Sequence, residues 1–230
     1  MKKWTEYLEA VKAFSAEWAE PQWMTDLRIN ALNKIDELPL PIIEKVKFAR
    51  WNLYNVNSEH QATVGTIPSF DQMNDNPMIV QTGETTVFEQ ISPKLADQGV
   101  IFTDLVTAIQ EHPELVKEYY MTKAVPVEEN SLTALHAAFM NNGVFLYVPK
   151  NVVIEEPLES LFIHNGDEET HFFKHVLIVA EDNSEFSYLE RFESQGTAAK
   201  KLSGNVVVEV ITKPGARVKF AAVDSLGENI

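Results

Sequence analysis

A motif that recurs every 32 residues in the C-terminal half constrains the fold of this chain more than any other feature. Asn151, Asn183 and Gly215 each stand in a short polar turn between two apolar runs. Asn and Gly tolerate the left-handed backbone that tight turns require. The same step aligns four apolar sets: Val144, Val176 and Val208; Leu146, Ile178 and Val210; Tyr147, Val179 and Ile211; Ile154, Phe186 and Val218. This period predicts a β-solenoid, whose units bury their apolar faces by stacking.

The composition excludes several kinds of site. The 230 residues include no cysteine, so disulfides, thiolate metal ligands and cysteine nucleophiles are excluded from this chain. The net charge of −15 opposes binding to nucleic acid or to an anionic membrane, because both require a positive surface. The N-terminus lacks the apolar core of a signal peptide, so we expect a cytoplasmic protein.

The N-terminal part reads as helices and one hairpin. Apolar residues recur at helical spacing over 4–18, and Pro21 ends that helix. Thr25 is the expected N-cap of a second helix, and Asp104 that of a later one. Two β-branched runs at 78–82 and 85–90 flank a turn with a glycine, which predicts a hairpin.

The pattern changes from helical to extended at Gly143, which we expect to end a helix over 132–141. The expected strands that follow are 144–148, 152–154, 158–163, 173–180, 184–190, 205–211 and 216–223. We therefore divide the chain into an α+β domain over 1–125 and the first rungs of a solenoid over 126–230. The chain ends after a strand without a polar cap, so we expect either a truncated solenoid or a last unit covered by a partner.

One run carries a family resemblance, and it extends from Leu132 to Lys150, reading LTALHAAFMNNGVFLYVPK. It resembles the entry to the β-helix in the SufB/SufD family of iron–sulfur cluster assembly proteins, with His136 where Asn is common and Asn151 where Gly is common. Residues 175–181, 188–190 and 213–219 are similar to the next rungs. Residues 23–28 and 38–41 are similar to the N-terminal helical segment of the SufD branch.

This resemblance implies a right-handed parallel β-helix and a scaffold that is not itself an enzyme. It implies pairing with a SufB-like β-helix subunit, and binding of a SufC-like ABC ATPase through a C-terminal helical region that has no counterpart here. The iron–sulfur cluster would belong to the assembled complex, with no cofactor bound by this chain alone. The family's functional histidine also has no matching position, so no catalytic, cofactor-binding or metal-binding residue is assigned. Gly143, Asn151, Asn183 and Gly215 are assigned as structural turns, and a homodimer of the isolated chain is left open.

Two other interpretations start from polar clusters. His164, His171 and His175 suggest a metal site, but in an extended chain the last two lie about 13 Å apart, too far to share one ion. Whether a metal binds there is left open. The alternative function is a β-helical carbohydrate-active enzyme, with its acidic groups drawn from Glu155, Glu156, Glu159 and Glu190. His136 lies on the apolar face of its helix, which favours a core histidine over a catalytic base.

Overall fold

The structure is a computed structural model of the 230-residue chain, and it describes residues 4–48, 51–56, 76–165, 172–195 and 204–227. The arrangement is α+β, with every described helix before Gly143 and the last six strands in succession from there. The helices are α1 (Leu8–Glu17), α2 (Gln22–Lys34), α3 (Pro93–Asp97), α4 (Leu105–Glu111), α5 (Pro113–Tyr119) and α6 (Ser131–Phe139). The strands are β1 (Met78–Thr82), β2 (Thr85–Gln90), β3 (Ile101–Asp104), β4 (Gly143–Val148), β5 (Leu158–Asn165), β6 (Phe172–Ala180), β7 (Glu185–Gln195), β8 (Gly204–Thr212) and β9 (Arg217–Ser225).

Most predicted helix boundaries agree with the structure, and one N-cap is wrong. Asp104 accepts from the amides of Val106 and Thr107 and begins α4, as predicted. The second helix begins earlier than expected, because Pro21 takes the N-cap position of α2 and Thr25 lies inside the helix. Proline is favourable next to a helix start, where its missing N–H costs no hydrogen bond.

The strands form two mixed sheets, and the chain crosses between them after each strand from β4 onward. One sheet has the order β2-β1-β5-β7-β9 and the other β3-β4-β6-β8. Within them β4, β6 and β8 are parallel, and so are β5, β7 and β9. Strands β1 and β3 come from the first 125 residues and pair with β5 and β4, so both sheets cross the predicted domain boundary.

The pairing of β4, β6 and β8 follows the 32-residue step read from the sequence. Val144 pairs with Val176, which pairs with Val208, and the other two aligned sets in these strands pair in the same way. Phe186 pairs with Val218 in β7 and β9. The predicted strand at 152–154 is reduced to one isolated bridge at Val153. The 32-residue spacing in the sequence therefore predicts the register of the parallel strands correctly.

The alternation of side chains along these strands produces two large cores among the described residues, beside a smaller cluster of Met78, Val80, Leu161 and Ile163. One lies between the two sheets and includes Val144, Val176, Ile178 and Phe186. The other lies between the β3–β8 sheet and the helices, where Phe145, Phe173 and Leu177 meet α2, α4 and α6. Strand β6 faces both cores, and all nine of its residues are buried.

The turns between the sheets stack on one another. Asn151, Asn183 and Gly215 have positive φ angles of 62°, 58° and 76°. The Asn183 side-chain amide donates to the Asn151 side chain at 3.1 Å. A Cβ atom at position 215 would lie 2.3 Å from the Asn183 side-chain oxygen, so glycine suits this position for both its backbone angle and its size.

Gly143 has a different role from the other three turn positions. It is the first residue of β4, and the preceding Asn142 has the positive φ, 118°. A Cβ atom at position 143 would lie 1.8 Å from the backbone oxygen of His175. Close approach of two backbones, and not a turn conformation, therefore requires glycine here.

Candidate functional site

The outer edge of the parallel strands is the first candidate site. Strands β8 and β9 are the last strands of their sheets within the part of the chain that the structure describes. Large apolar side chains are partly exposed there: Val206 is 38% exposed, Phe220 40% and Val223 47%. A groove of about 800 Å³ opens at Phe220, with Ile154 and Phe186 also in its lining. The core between the sheets thus reaches the surface at this end, beside backbone groups that can pair with a further strand.

The second candidate is a chain of buried polar side chains between the helices and the β3–β8 sheet. His136 of α6 lies with Nδ1 3.2 Å from the Asn205 side-chain oxygen and Nε2 3.0 Å from Nδ1 of His175. Nε2 of His175 lies 3.1 Å from the carboxylate of Glu209. That carboxylate also accepts from the backbone amides of Met121 at 2.7 Å and of Val125 at 3.0 Å.

Burial and hydrogen bonding have opposite effects on the pKa values of His175 and Glu209 in this polar chain. Burial, followed by the charge of His175, lowers the pKa of His136 well below its ordinary value. Burial also lowers the pKa of His175, although the hydrogen bond and the charge of Glu209 oppose that effect. Burial alone would raise the pKa of the Glu209 carboxyl, but donation from His175 and from two amides holds it below its ordinary value.

A third polar group joins the hairpin to the first parallel strands. The Lys174 ammonium is fully buried and donates to the backbone oxygen of Gly83 at 2.6 Å and to the Gln81 side chain at 3.2 Å. Burial lowers the pKa of Lys174 to about 7, and the negative charges of Glu84 and Asp104 partly offset this. These bonds hold the β1–β2 turn against β6, which makes them structural.

Two of the three suspected metal ligands, His164 and His175, lie in different cores. His164 lies in β5 with its ring 5.8 Å from that of Phe172, in the core between the sheets. His175 faces the other core, 4.4 Å from the ring of Tyr120. His171 lies outside the described residues. Within the described ranges, no group of three or more His, Asp or Glu side chains is arranged to hold a metal ion.

The four glutamates of the carbohydrate-enzyme interpretation do not converge either. Ser160 and Glu190 are strand partners, so Glu159 and Glu190 point to opposite faces of the sheet. Glu190 is 3% exposed, and burial raises its pKa to about 7. Glu155 and Glu156 are exposed. The aromatic residues near them, Phe186 and Tyr188, are 2% and 1% exposed and belong to the core between the sheets.

One residue of the polar chain, Glu209, could have been recognised from the sequence, although the 32-residue repeat does not indicate it. Glu209 interrupts an apolar run, Val206-Val207-Val208-Glu209-Val210, and lies on the face that meets the helices. A charged residue inside a buried strand usually has a partner, so the position could have been marked. Its partners could not, because Met121, Val125 and His175 are distant in sequence.

The described helices include none that is both long and apolar enough to cross a bilayer.

Comparison with known proteins adds a family. The family model for the SufBD protein N-terminal region matches residues 67–159, and the model for the SufBD core domain of the SUF iron–sulfur cluster assembly system matches residues 162–230. The chain is 39% identical to the iron–sulfur cluster assembly protein SufD of Bacillus subtilis, over 96% of this chain and 53% of that protein. It is 29% identical to a SufBD family protein of Staphylococcus haemolyticus, over 96% and 50%. The chain spans about half the length of these curated relatives.

Proposed function

The chain belongs to the SufB/SufD family of iron–sulfur cluster assembly proteins, and we propose that it acts as a SufD-like scaffold subunit that performs no catalysis itself. One observation carries the proposal. The identity of 39% to a SufD protein extends over 96% of the chain. The match therefore includes both the helical part and the parallel strands. The SufD branch predicted from the residues is the branch to which this relative belongs.

The parallel strands support a finer description of the fold. We propose that 126–230 forms the first rungs of a right-handed parallel β-helix and that 1–125 is the α+β domain preceding it. The register of 32 residues through β4, β6 and β8 and the stacked asparagine turns support the β-helix. The hairpin and β3 would then cover its first rung.

The open edge gives the scaffold its mechanism. A parallel edge with unpaired backbone groups and apolar side chains favours extension by another strand of the same kind. We propose that further parallel strands cover β8 and β9, so that the apolar groove beside them is filled in the working protein. Partners in this proposal are a SufB-like β-helix subunit and a SufC-like ATPase, in the cytoplasm. The iron–sulfur cluster is the cargo of the assembled complex.

A chromosomally tagged bait tests this function. The tag is placed on the native gene, so that the bait is whatever protein the gene encodes, and co-purified proteins are identified by mass spectrometry. We expect a SufB-like and a SufC-like subunit in fixed ratio, and a loss of cluster-dependent enzyme activities when the gene is deleted. An equally acidic protein with the same tag serves as the control. A bait that elutes alone, with those activities unchanged by deletion, would overturn the proposal.

A further inference from the structure

The polar chain consists of Asn205, His136, His175 and Glu209. At its Asn205 end, the hydrogen-bond partner is a backbone oxygen. The backbone oxygen of Leu132 can only accept, and the Asn205 amide nitrogen donates to it at 3.1 Å. This fixes the orientation of the Asn205 amide, so its oxygen faces Nδ1 of His136 at 3.2 Å. The oxygen also accepts only. Nδ1 of His136 must therefore carry a hydrogen.

The opposite end is an acceptor as well. The Glu209 carboxylate already accepts the backbone amides of Met121 and Val125. Donation from His175 and from these two amides holds the pKa of the Glu209 carboxyl below its ordinary value. The carboxylate is therefore ionised and has no hydrogen to donate. The contact of 3.1 Å to Nε2 of His175 is a hydrogen bond when that nitrogen carries a hydrogen.

The contact between the two rings then sets the proton count. Nε2 of His136 and Nδ1 of His175 lie 3.0 Å apart, and one hydrogen must stand between them. The four ring nitrogens thus need three hydrogens, whereas two neutral imidazoles carry two. The additional proton makes one ring cationic. Its charge balances Glu209, whose side chain is completely buried.

We propose that His136, His175 and Glu209 form a one-proton latch that holds the helical layer against the parallel strands at neutral pH. The latch joins α6, β6, β8 and the connection between α5 and α6. That connection includes Met121, which has a positive φ of 49° and donates to Glu209. Loss of the shared proton places two lone pairs against each other, and one of the three contacts opens.

The neighbouring charges act against the proton as well as for it. Arg28 of α2 disfavours a charge on His136, but its guanidinium is engaged by Glu20 at 2.7 Å. Tyr120 packs its ring against His175 and carries no charge, because burial raises its phenol pKa far above neutral. Burial outweighs Glu209 for each ring taken singly and lowers both histidine pKa values. The contact of 3.0 Å between the rings opposes this, because without the additional proton two lone pairs would face each other. The latch therefore depends on this contact and on Glu209 together offsetting burial.

Nitrogen NMR of histidine-labelled protein tests the proton count. The chain has six histidines, and His136→Gln and His175→Gln identify the ring-nitrogen signals of the two residues of interest. At pH 7 we expect three of the four ring nitrogens of His136 and His175 to show the shift of a protonated nitrogen. Two protonated and two unprotonated nitrogens would overturn the proposal, and the spectrum of the unaltered chain is sufficient to decide.

Two further measurements separate a latch from a static core. Glu209→Gln removes the negative charge that balances the cationic ring, so the additional proton should be lost, whereas the control Glu9→Gln should keep it. Hydrogen exchange of the Met121 and Val125 amides, corrected for intrinsic rates, should lose protection over the same pH range in which the rings lose the proton. Unchanged protection across that range would show that the shared proton does not maintain the contacts of Glu209 with Met121 and Val125.

Discussion

Strands β6 and β9 belong to the two different sheets of the repeat and have opposite surroundings. All nine residues of β6 are buried, since it has a strand on either side and a core on each face. In β9, Val218 is half-buried and the other eight residues are exposed. Strand β9 has three charged residues, Arg217, Lys219 and Asp224, but its middle, from Phe220 to Val223, is apolar and still exposed. The comparison shows that the repeat determines register, whereas burial depends on whether a neighbour lies on the outer side.

The largest expected difference in stability is between aspartate substitutions at Phe186, in the inner strand β7, and at Val218, its register partner in the outer strand β9. Phe186 is 2% exposed, so Phe186→Asp places an unpaired charge in the core, and we expect a loss of at least about 4 kcal/mol in unfolding free energy. Val218, its partner in β9, is half-buried at the groove. Val218→Asp should cost less than half as much in urea denaturation. Equal losses would contradict the difference between inner and outer strands.

A pH-dependent effect should follow from Glu190, which burial gives a pKa of about 7 against an ordinary value of 4.5. The folded chain then binds more protons than the unfolded chain between pH 4.5 and 7, so stability falls as pH rises through that window, by about 3 kcal/mol in total. Glu190→Gln should remove this fall in denaturation curves measured across the window.

Its register partner provides the control. Ala222 pairs with Glu190 in β9 and is exposed. Ala222→Glu should leave stability and its pH profile almost unchanged. A new fall in stability between pH 4.5 and 7 in that variant would mean that β9 is already covered.

A steric effect of intermediate size should appear at Gly143. A Cβ atom there meets the His175 backbone at 1.8 Å, and the backbones must separate to admit it. We expect Gly143→Ala to cost about 2 kcal/mol, as other overpacked sites do. Gly227, beyond β9, has its nearest contact at 3.5 Å, so Gly227→Ala should be neutral by thermal denaturation. A neutral Gly143→Ala would show that β4 and β6 can move apart freely.

The smallest effect should occur at the last stacked turn. Gly215 has a φ of 76°, which alanine adopts at a cost of about 1 kcal/mol. A Cβ atom there would also lie 2.3 Å from the Asn183 side-chain oxygen, so in either variant that side chain must rotate away from Asn151. Gly215→Asn should still cost less than Gly215→Ala, because asparagine tolerates this angle. Equal losses in thermal denaturation would show that the backbone angle does not determine the cost.

The register and the hairpin could be predicted from the sequence. The register follows from a constant spacing of apolar residues, and the hairpin from a local pattern of β-branched residues around a turn. The hairpin strands were predicted at 78–82 and 85–90, which are the limits of β1 and β2. The pairing of Val144, Val176 and Val208 came from spacing alone.

The polar interior could not be predicted, since its contacts join residues far apart in the chain. Lys174 reaches Gly83 over 91 positions, and Glu209 reaches Met121 over 88. The start of α2 was missed because Thr25 has the chemistry of a cap, whereas Pro21 fixes where the helix begins. The glutamates looked like a cluster because the sequence hides the alternation that sends Glu159 and Glu190 to opposite faces.

The most direct test is hydrogen–deuterium exchange of β8 and β9, in the 230-residue chain alone and in the complex purified with the native gene product. In the chain alone, β4 to β7 should be strongly protected and the outward amides of β8 and β9 should exchange quickly. In the purified complex, β8 and β9 should become as protected as β6. Equal exchange of β8 and β9 in both samples would contradict the proposal that further parallel strands cover this edge.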